Sequence, residues 1–426
     1  MPDDGAYKVA HPQGEANADQ ASARHDRPAL AIFVTDARSD EALRDGLSDF
    51  VAEDVDIRRG GIRAAVTAMQ KQATPKVLVV DVSGEDQPLS ALGDLSNVVE
   101  PDVCVLVVGE LNNAEFYREV TRGLGAADYL PKPLTRDKVS RHFGPFVLGQ
   151  VPASEGLLGG RAIAVTGVRG GAGTTTIAVN LAWHFGVAMR RHTVLLDPDL
   201  HLGMAAFLLN IQPGPGLRMA LEAPERIDAL LAERAAQPAA DRLHVLAGEE
   251  KVALQPHHAP GAAARLLEAL RRRYNFIVAD VPFAPVPVYR DLLELVDQRV
   301  LVMEPTLAAV RDTLRLLSLP HGLSQKQRAV VVLNRVGIPG GLTRRQVEDA
   351  LKMKVDVAIP DLPRQVSAAA TLGEPAMASS AGLRTGIIEL TRQVGGQRLL
   401  DSASDAAVAA AANSKRSRWK LFGRHA

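Results

Sequence analysis

Ten residues constrain this chain more than any others: "GVRGGAGTTT", Gly167 to Thr176. They follow an apolar run, "RAIAV", and lead into Ile177, Leu181, Phe185 and Met189, whose i, i+4 spacing gives a helix one apolar face. A strand, a glycine-rich turn and a helix, in that order, form the context of a phosphate-binding loop. Gly170, Gly171 and Gly173 permit backbone conformations closed to other residues, and N–H groups gathered at a helix N-terminus favour phosphate. The competing reading is a tight turn without a ligand; the three threonines that follow the glycines weigh against it. One position departs from the pattern: where such loops carry Lys before Ser or Thr, this chain has Thr174.

Downstream residues add to the same reading. "TVLLDPDLHLG" gives a buried strand ending at Asp197, with Asp199 two residues on, and "LRRRYNFIVADVP" gives a second strand ending at Asp280. Carboxylates at the carboxyl ends of parallel strands face the crevice where doubly wound folds bind ligands. There one can coordinate Mg²⁺ and the other can position a water. A single strand-end Asp is commonly a cap or turn former; two of them behind a glycine loop are a more specific signal.

The chain has 426 residues, room for two domains with tails. Lys+Arg and Asp+Glu balance at 49 each, so bulk charge gives no reason to expect a nucleic-acid partner. Cys104, the single cysteine, sits in "VCVLVV" and reads as a buried strand residue in a reducing compartment. The N-terminus shows no basic segment followed by an apolar core, and no run of about eighteen apolar residues appears, so a cytoplasmic protein is expected. Residues 1–28 lack periodicity and are expected to be disordered. Residues 29–148 alternate apolar runs ("ALAIFVTD", "KVLVVDV", "DVCVLVVG", "ADYLPKPL") with amphipathic stretches; 149–160 read as a linker. Residues 161–394 repeat the alternation, with strands expected at "RAIAVTG", "TVLLD", "RLHVLAG", "NFIVAD", "RVLVME" and "RAVVVLN". The fold class is α/β, two doubly wound parallel-sheet domains. Residues 395–426 form an Ala/Ser-rich tail whose end sets Lys415, Arg416, Arg418, Lys420 and Arg424 around Trp419, Leu421 and Phe422. It reads as a solvated end or as a weak contact with an anionic inner membrane leaflet or an acidic partner.

The second domain resembles the deviant-Walker ATPases of the MinD and ParA type. The loop Arg169-Gly170-Gly171-Ala172-Gly173-Thr174-Thr175, then Asp197-Pro198-Asp199, then Asp280-Val281-Pro282 match that family's three motifs in order. "VVLNRV" resembles its strand ending in a base-contacting Asn, here Asn334 beside Arg335, and "AIPDLP" its adenine-lining segment around Pro360 and Asp361. The resemblance implies ATP and Mg²⁺ as cofactors and a homodimer. It also implies phosphates cradled from Gly170 to Thr176, metal held through Thr175, Asp197 and Asp280, and Arg169 standing for the lysine that reaches the partner's nucleotide. Arg keeps that charge. Thr174 cannot supply a cation at the β/γ-phosphates, which costs about 1.5–3 kcal/mol of binding and more of phosphoryl transfer.

The first domain resembles a response-regulator receiver of flavodoxin-like strand order. Asp81 ends the third strand and Lys132 precedes Pro133, as a phosphoacceptor and its lysine do there; the acidic pair of the first strand is reduced to Asp36, since Thr35 precedes it. Gly109 stands where receivers place a switch hydroxyl. A receiver-like domain before this variant loop, with "GVRGGAGTTTIAVNLAW" in particular, resembles the CpaE/TadZ proteins of tight-adherence (Flp) pilus assembly. That resemblance implies a localisation role at a cell pole, with the pilus secretion ATPase and other assembly proteins as partners. The alternatives are an active partitioning ATPase and a phosphorylated regulator gating the ATPase domain.

Overall fold

A computed structural model describes residues 27–51, 56–150, 160–227, 232, 234–255 and 257–395. The basic tail, nearly all of the N-terminal segment and most of the expected linker lie outside the described residues. The chain divides into two compact units, Met1–Leu92 with Asp102–Gly156, and Gly93–Pro101 with Leu157–Ala426.

In the first unit the elements run β1 (Leu30–Val34), α1 (Ala37–Leu47), β2 (Ile57–Arg59), α2 (Gly61–Met69), β3 (Val77–Asp81), the start of α3 (Pro88–Ser96), whose last four residues are counted with the second unit, β4 (Cys104–Gly109), α4 (Ala114–Arg118), β5 (Asp128–Pro131) and α5 (Arg136–Val147). The sheet order is β2-β1-β3-β4-β5 and every pair is parallel. β1, β3 and β4 are buried along their whole length, which is why they read as unbroken apolar runs rather than alternating ones. β2 went unread in the sequence because two of its three residues are exposed arginines, leaving no apolar pattern. Strand order reverses between β1 and β3, so their carboxyl ends open the crevice of this unit.

The second unit carries β6 (Arg161–Gly167), α6 (Thr174–Trp183), β7 (Thr193–Asp197), α7 (Gly216–Glu222), β8 (Gln237–Ala240), β9 (Leu243–Ala247), α8 (Ala262–Arg271), β10 (Phe276–Asp280), α9 (Pro287–Leu295), β11 (Gln298–Met303), α10 (Leu307–Leu317), β12 (Val330–Val336), α11 (Arg344–Leu351), β13 (Val357–Pro360), α12 (Pro363–Leu372), α13 (Ala376–Ser379) and α14 (Ala381–Val394). Its order is β13-β12-β11-β6-β10-β7-β9-β8, with β6 between β11 and β10. Ile163 and Val165 of β6 face a core shared with α6 and α14, while Ala162 and Ala164 face α8 and α9. β8 alone runs antiparallel, at the edge, where Pro238 sacrifices no ladder bond that a central strand would need.

α6 departs from the expected single apolar face. Ile177 through Ala182 are all buried, because α13 and α14 lie across the side turned away from the sheet. Asn180 satisfies itself within that core: its Oδ1 accepts from Met377 N–H at 2.7 Å and its Nδ2 donates to Thr176 O at 2.7 Å. The α-helix stops at Trp183 and continues as a π-helical turn, His184–Ala188, short of Met189.

Candidate functional site

At the carboxyl end of β6 the backbone turns through Gly171 (φ 83°) and Gly173 (φ 89°), both in the left-handed region, and Gly173 caps α6. Gly173 is needed twice over, since a Cβ there would also meet Asn334 Nδ2. Thr174 turns its Oγ1 against the Cα of Gly167, so the residue in the place of a lysine is short and directed at the end of β6.

Asp197 and Asp280 stand at the ends of neighbouring strands, both buried. Asp197 accepts from Asp199 N–H at 3.2 Å and Ala205 N–H at 3.0 Å. Burial, with repulsion from Asp199, pushes its carboxyl up to about 6 against these bonds. Burial, then repulsion from Asp197, pushes Asp280 up to about 7, partly offset by a hydrogen bond from Thr175. What holds both above the carboxylate range is dehydration and neighbouring negative charge, from Asp199 on Asp197 and from Asp197 and Asp199 on Asp280, the condition a divalent cation relieves. Asp199 plays the plainer part of a turn former, its Oδ1 accepting from the N–H groups of His201 and Leu202 at 3.1 and 3.0 Å.

A cavity of about 340 Å³ opens beside the loop. Gly173 and Thr176 line it from the loop side, Asn334 and Arg335 from β12, Pro360 from the end of β13 and Asp361 from just beyond it. These residues, far apart in sequence, are brought to one wall by β12 and β13 pairing in parallel. Asn334 Nδ2 donates to Ala172 O at 2.8 Å, which leaves its amide oxygen as an acceptor for a ligand.

The two cations at this site each have an acidic neighbour that sequence reasoning missed. Arg169 Nη1 donates to Asp312 of α10 at 2.6 Å, and Arg335 Nη1 to Glu304 at 2.5 Å. Glu304 carries the signal already used for Asp197 and Asp280, a carboxylate at a strand's carboxyl end. Asp312 carries none, because it lies inside a helix.

In the first unit Asp36, Asp81 and Lys132 do meet. Lys132 Nζ lies 2.6 Å from both Asp36 Oδ2 and Asp81 Oδ2. Asp81 Oδ2 also accepts from Thr35 Oγ1 at 2.6 Å and Thr35 N–H at 3.0 Å, and Oδ1 accepts from Ser83 N–H at 2.9 Å. Burial would raise this fully covered carboxyl, but the bonds from Lys132, Ser83 and Thr35 hold it below the usual range. Asp36, which also caps α1 at Ser39, is held at about 2: Lys132 and Ser39 overcome its burial. Gly109 has no room for a hydroxyl-bearing side chain, since a Cβ would sit 2.9 Å from both Tyr129 Oη and Val82 Cγ2. Among the described residues no cluster of three or more His, Cys, Asp or Glu side chains suits a metal ion.

A glycine loop at a helix N-terminus, strand-end aspartates on neighbouring strands and a cavity lined by Gly173 and Thr176 give the second unit, an α/β unit, a candidate phosphate-binding site. The family described as cellulose biosynthesis protein BcsQ matches residues 161–324, from β6 past α10. The septum site-determining protein MinD of Bacillus subtilis (strain 168) is 24% identical over 189 residues, 42% of this chain and 65% of that protein, so the chain spans about two thirds of that relative's length. Among solved structures, MinD of Pyrococcus horikoshii OT3 complexed with Mg-ADP aligns at TM-score 0.48 and 21% identity, covering 56% of this chain and 98% of that one. The pilus assembly protein CpaE of Caulobacter crescentus CB15 is 29% identical over 28% of this chain and 97% of that one, at TM-score 0.25. The two sequence matches support a MinD/ParA-type unit.

Proposed function

We propose that this chain is an ATP-binding, dimer-forming positioning factor for a tight-adherence pilus, with nucleotide turnover slow or absent. One observation carries the nucleotide half: a single cavity joins Gly173 and Thr176 of the phosphate loop to Asn334, Arg335, Pro360 and Asp361. Adenine would lie against Pro360 and Asp361, its amino group facing the Asn334 amide oxygen. The loop from Gly170 to Thr176 would take the phosphates on backbone N–H groups. Mg²⁺ fits the donor set of Thr175, Asp197 and Asp280, whose carboxylates lack a compensating cation of their own. The metal would supply charge at the phosphates; Asp197 and Asp280 would also order a water. Thr174 brings no cation to the γ-phosphate, so binding outlasts hydrolysis.

Arg169 would reach a second copy's nucleotide once its pair with Asp312 opens. That pair is half exposed on the Arg side and holds it by about 1 kcal/mol or less. The first unit serves as a docking or dimerising module, because both oxygens of Asp81 are already taken by protein donors. The pilus assignment, with a secretion ATPase and other assembly proteins as partners at a cell pole, rests on the resemblance of the loop and of the domain order. No helix among the described residues is long and apolar enough to cross a membrane; inner-membrane contact is assigned to the basic tail.

Titration calorimetry with ATP and ADP, with and without Mg²⁺, tests the nucleotide reading. Micromolar binding with little phosphate release is the expected result, and no binding of either nucleotide at millimolar concentration overturns it. Incubation with acetyl phosphate should leave the mass of the chain unchanged. A phosphoryl adduct that disappears in Asp81→Asn would instead establish a phosphorylated regulator.

A further inference from the structure

Glu304 follows β11 directly, so a third carboxylate stands at a strand's carboxyl end in this unit, and the phosphate loop and metal pair leave it unused. Its partner Arg335 has φ 55°, a left-handed conformation that a residue with a Cβ rarely adopts. Arg335 lies in a bulge: Leu333 pairs with Ala358 and Val336 with Pro360, so one extra residue of β12 is accommodated. A bulge re-aims side chains that a regular strand would send elsewhere. Here the re-aimed residue is Asn334, which reaches Ala172 O beside Gly173. The backbone beyond the bulge is tied to the same end of β11, with Leu342 N–H donating to Pro305 O at 2.7 Å. Ile338, which lines the cavity, donates its N–H to Arg335 O at 3.1 Å.

The geometry points to Glu304 as a positioning residue of the nucleotide pocket, anchoring Arg335 in the left-handed bulge that aims Asn334 at the phosphate loop and the base. This rests on the cavity being the nucleotide site. Without Glu304 the guanidinium loses its anchor, the bulge relaxes toward an ordinary conformation, and Asn334 leaves Ala172. Glycine at position 335 adopts the left-handed conformation without a Cβ penalty and so offers a rescue.

Titration calorimetry of the full chain with Mg-ATP and Mg-GTP tests this. Glu304→Ala is expected to weaken Mg-ATP about tenfold and to lower the ATP-to-GTP preference, whereas general destabilisation would weaken both nucleotides alike. Glu304→Ala/Arg335→Gly is expected to restore the ATP-to-GTP preference that Glu304→Ala loses, and Glu304→Gln, which keeps an acceptor for Arg335, to stay closer to wild type than Glu304→Ala. Should Glu304→Ala fail to fold, Arg335→Ala and Arg335→Gly make the same comparison, alanine binding about tenfold more weakly than glycine. Wild-type affinity and preference in Glu304→Ala, or a double variant whose ATP-to-GTP preference stays as low as the single one's, overturns the inference while the nucleotide site stands. Wild-type protein that binds neither nucleotide removes the site reading itself, and this inference with it.

Discussion

Both units place aspartates at the carboxyl ends of parallel strands, and they treat the charge in opposite ways. In the first, Lys132 sits between Asp36 and Asp81 and lowers both. In the second, Asp197 and Asp280 face each other across neighbouring strands and rise to about 6 and about 7. Desolvated charge must be compensated somewhere. A carboxylate beside its own cation is already compensated, whereas one without a cation is left to desolvation and repulsion. The difference separates a compensated aspartate cluster from an uncompensated one on similar sheets.

The largest test of that contrast is Lys132→Met. It leaves Asp81 buried with no cation and is expected to cost about 3–5 kcal/mol in a urea denaturation series. A loss below about 1 kcal/mol would mean the cluster is hydrated and open after all. Thr174→Lys supplies the absent cation of the second site. It should tighten Mg-ATP by about ten- to a hundredfold in calorimetry and raise phosphate release. Unchanged affinity would show that the loop does not hold a triphosphate.

The pH response should divide the units. A carboxyl raised in the folded state keeps its proton longer there, so the second site adds stability at low pH. That stability is lost as pH rises from about 4 through about 7. Carboxyls lowered in the folded state, as in the first site, add stability that is lost as pH falls below about 4. Asp280→Asn should therefore stabilise the ligand-free chain by about 1–3 kcal/mol at pH 8 and little below about pH 4, read from thermal melts. Mg²⁺ should produce part of the same gain in wild type and none in the variant. The smallest effect belongs to Asp312→Asn, which frees Arg169 and should shift stability by about 1 kcal/mol or less.

Much of this was legible without coordinates. The strands at the sheet centres announce themselves because burial on both faces makes them uniformly apolar, and the glycine loop because few residues tolerate its backbone. Exposed or edge strands such as β2 and β8 did not, since half-solvated residues carry no such constraint. The α6 face was misjudged for a related reason. Its second covering layer, α13 and α14, lies some two hundred residues downstream, and local periodicity sees only one packing partner at a time. Asp81 and Lys132 were found as a pair, but that Thr35 and Ser83 complete the coordination of Asp81 was not.

The sequence by itself determined the class of each unit, the order of their motifs and the absence of a lysine at position 174, because these depend on residue type and local spacing. Tertiary structure alone decided which charges are compensated. Arg169 with Asp312, Arg335 with Glu304, and Lys132 with two aspartates are pairings across 143, 31 and up to 96 positions. Coulomb energy depends on distance and dehydration, and neither is written along the chain.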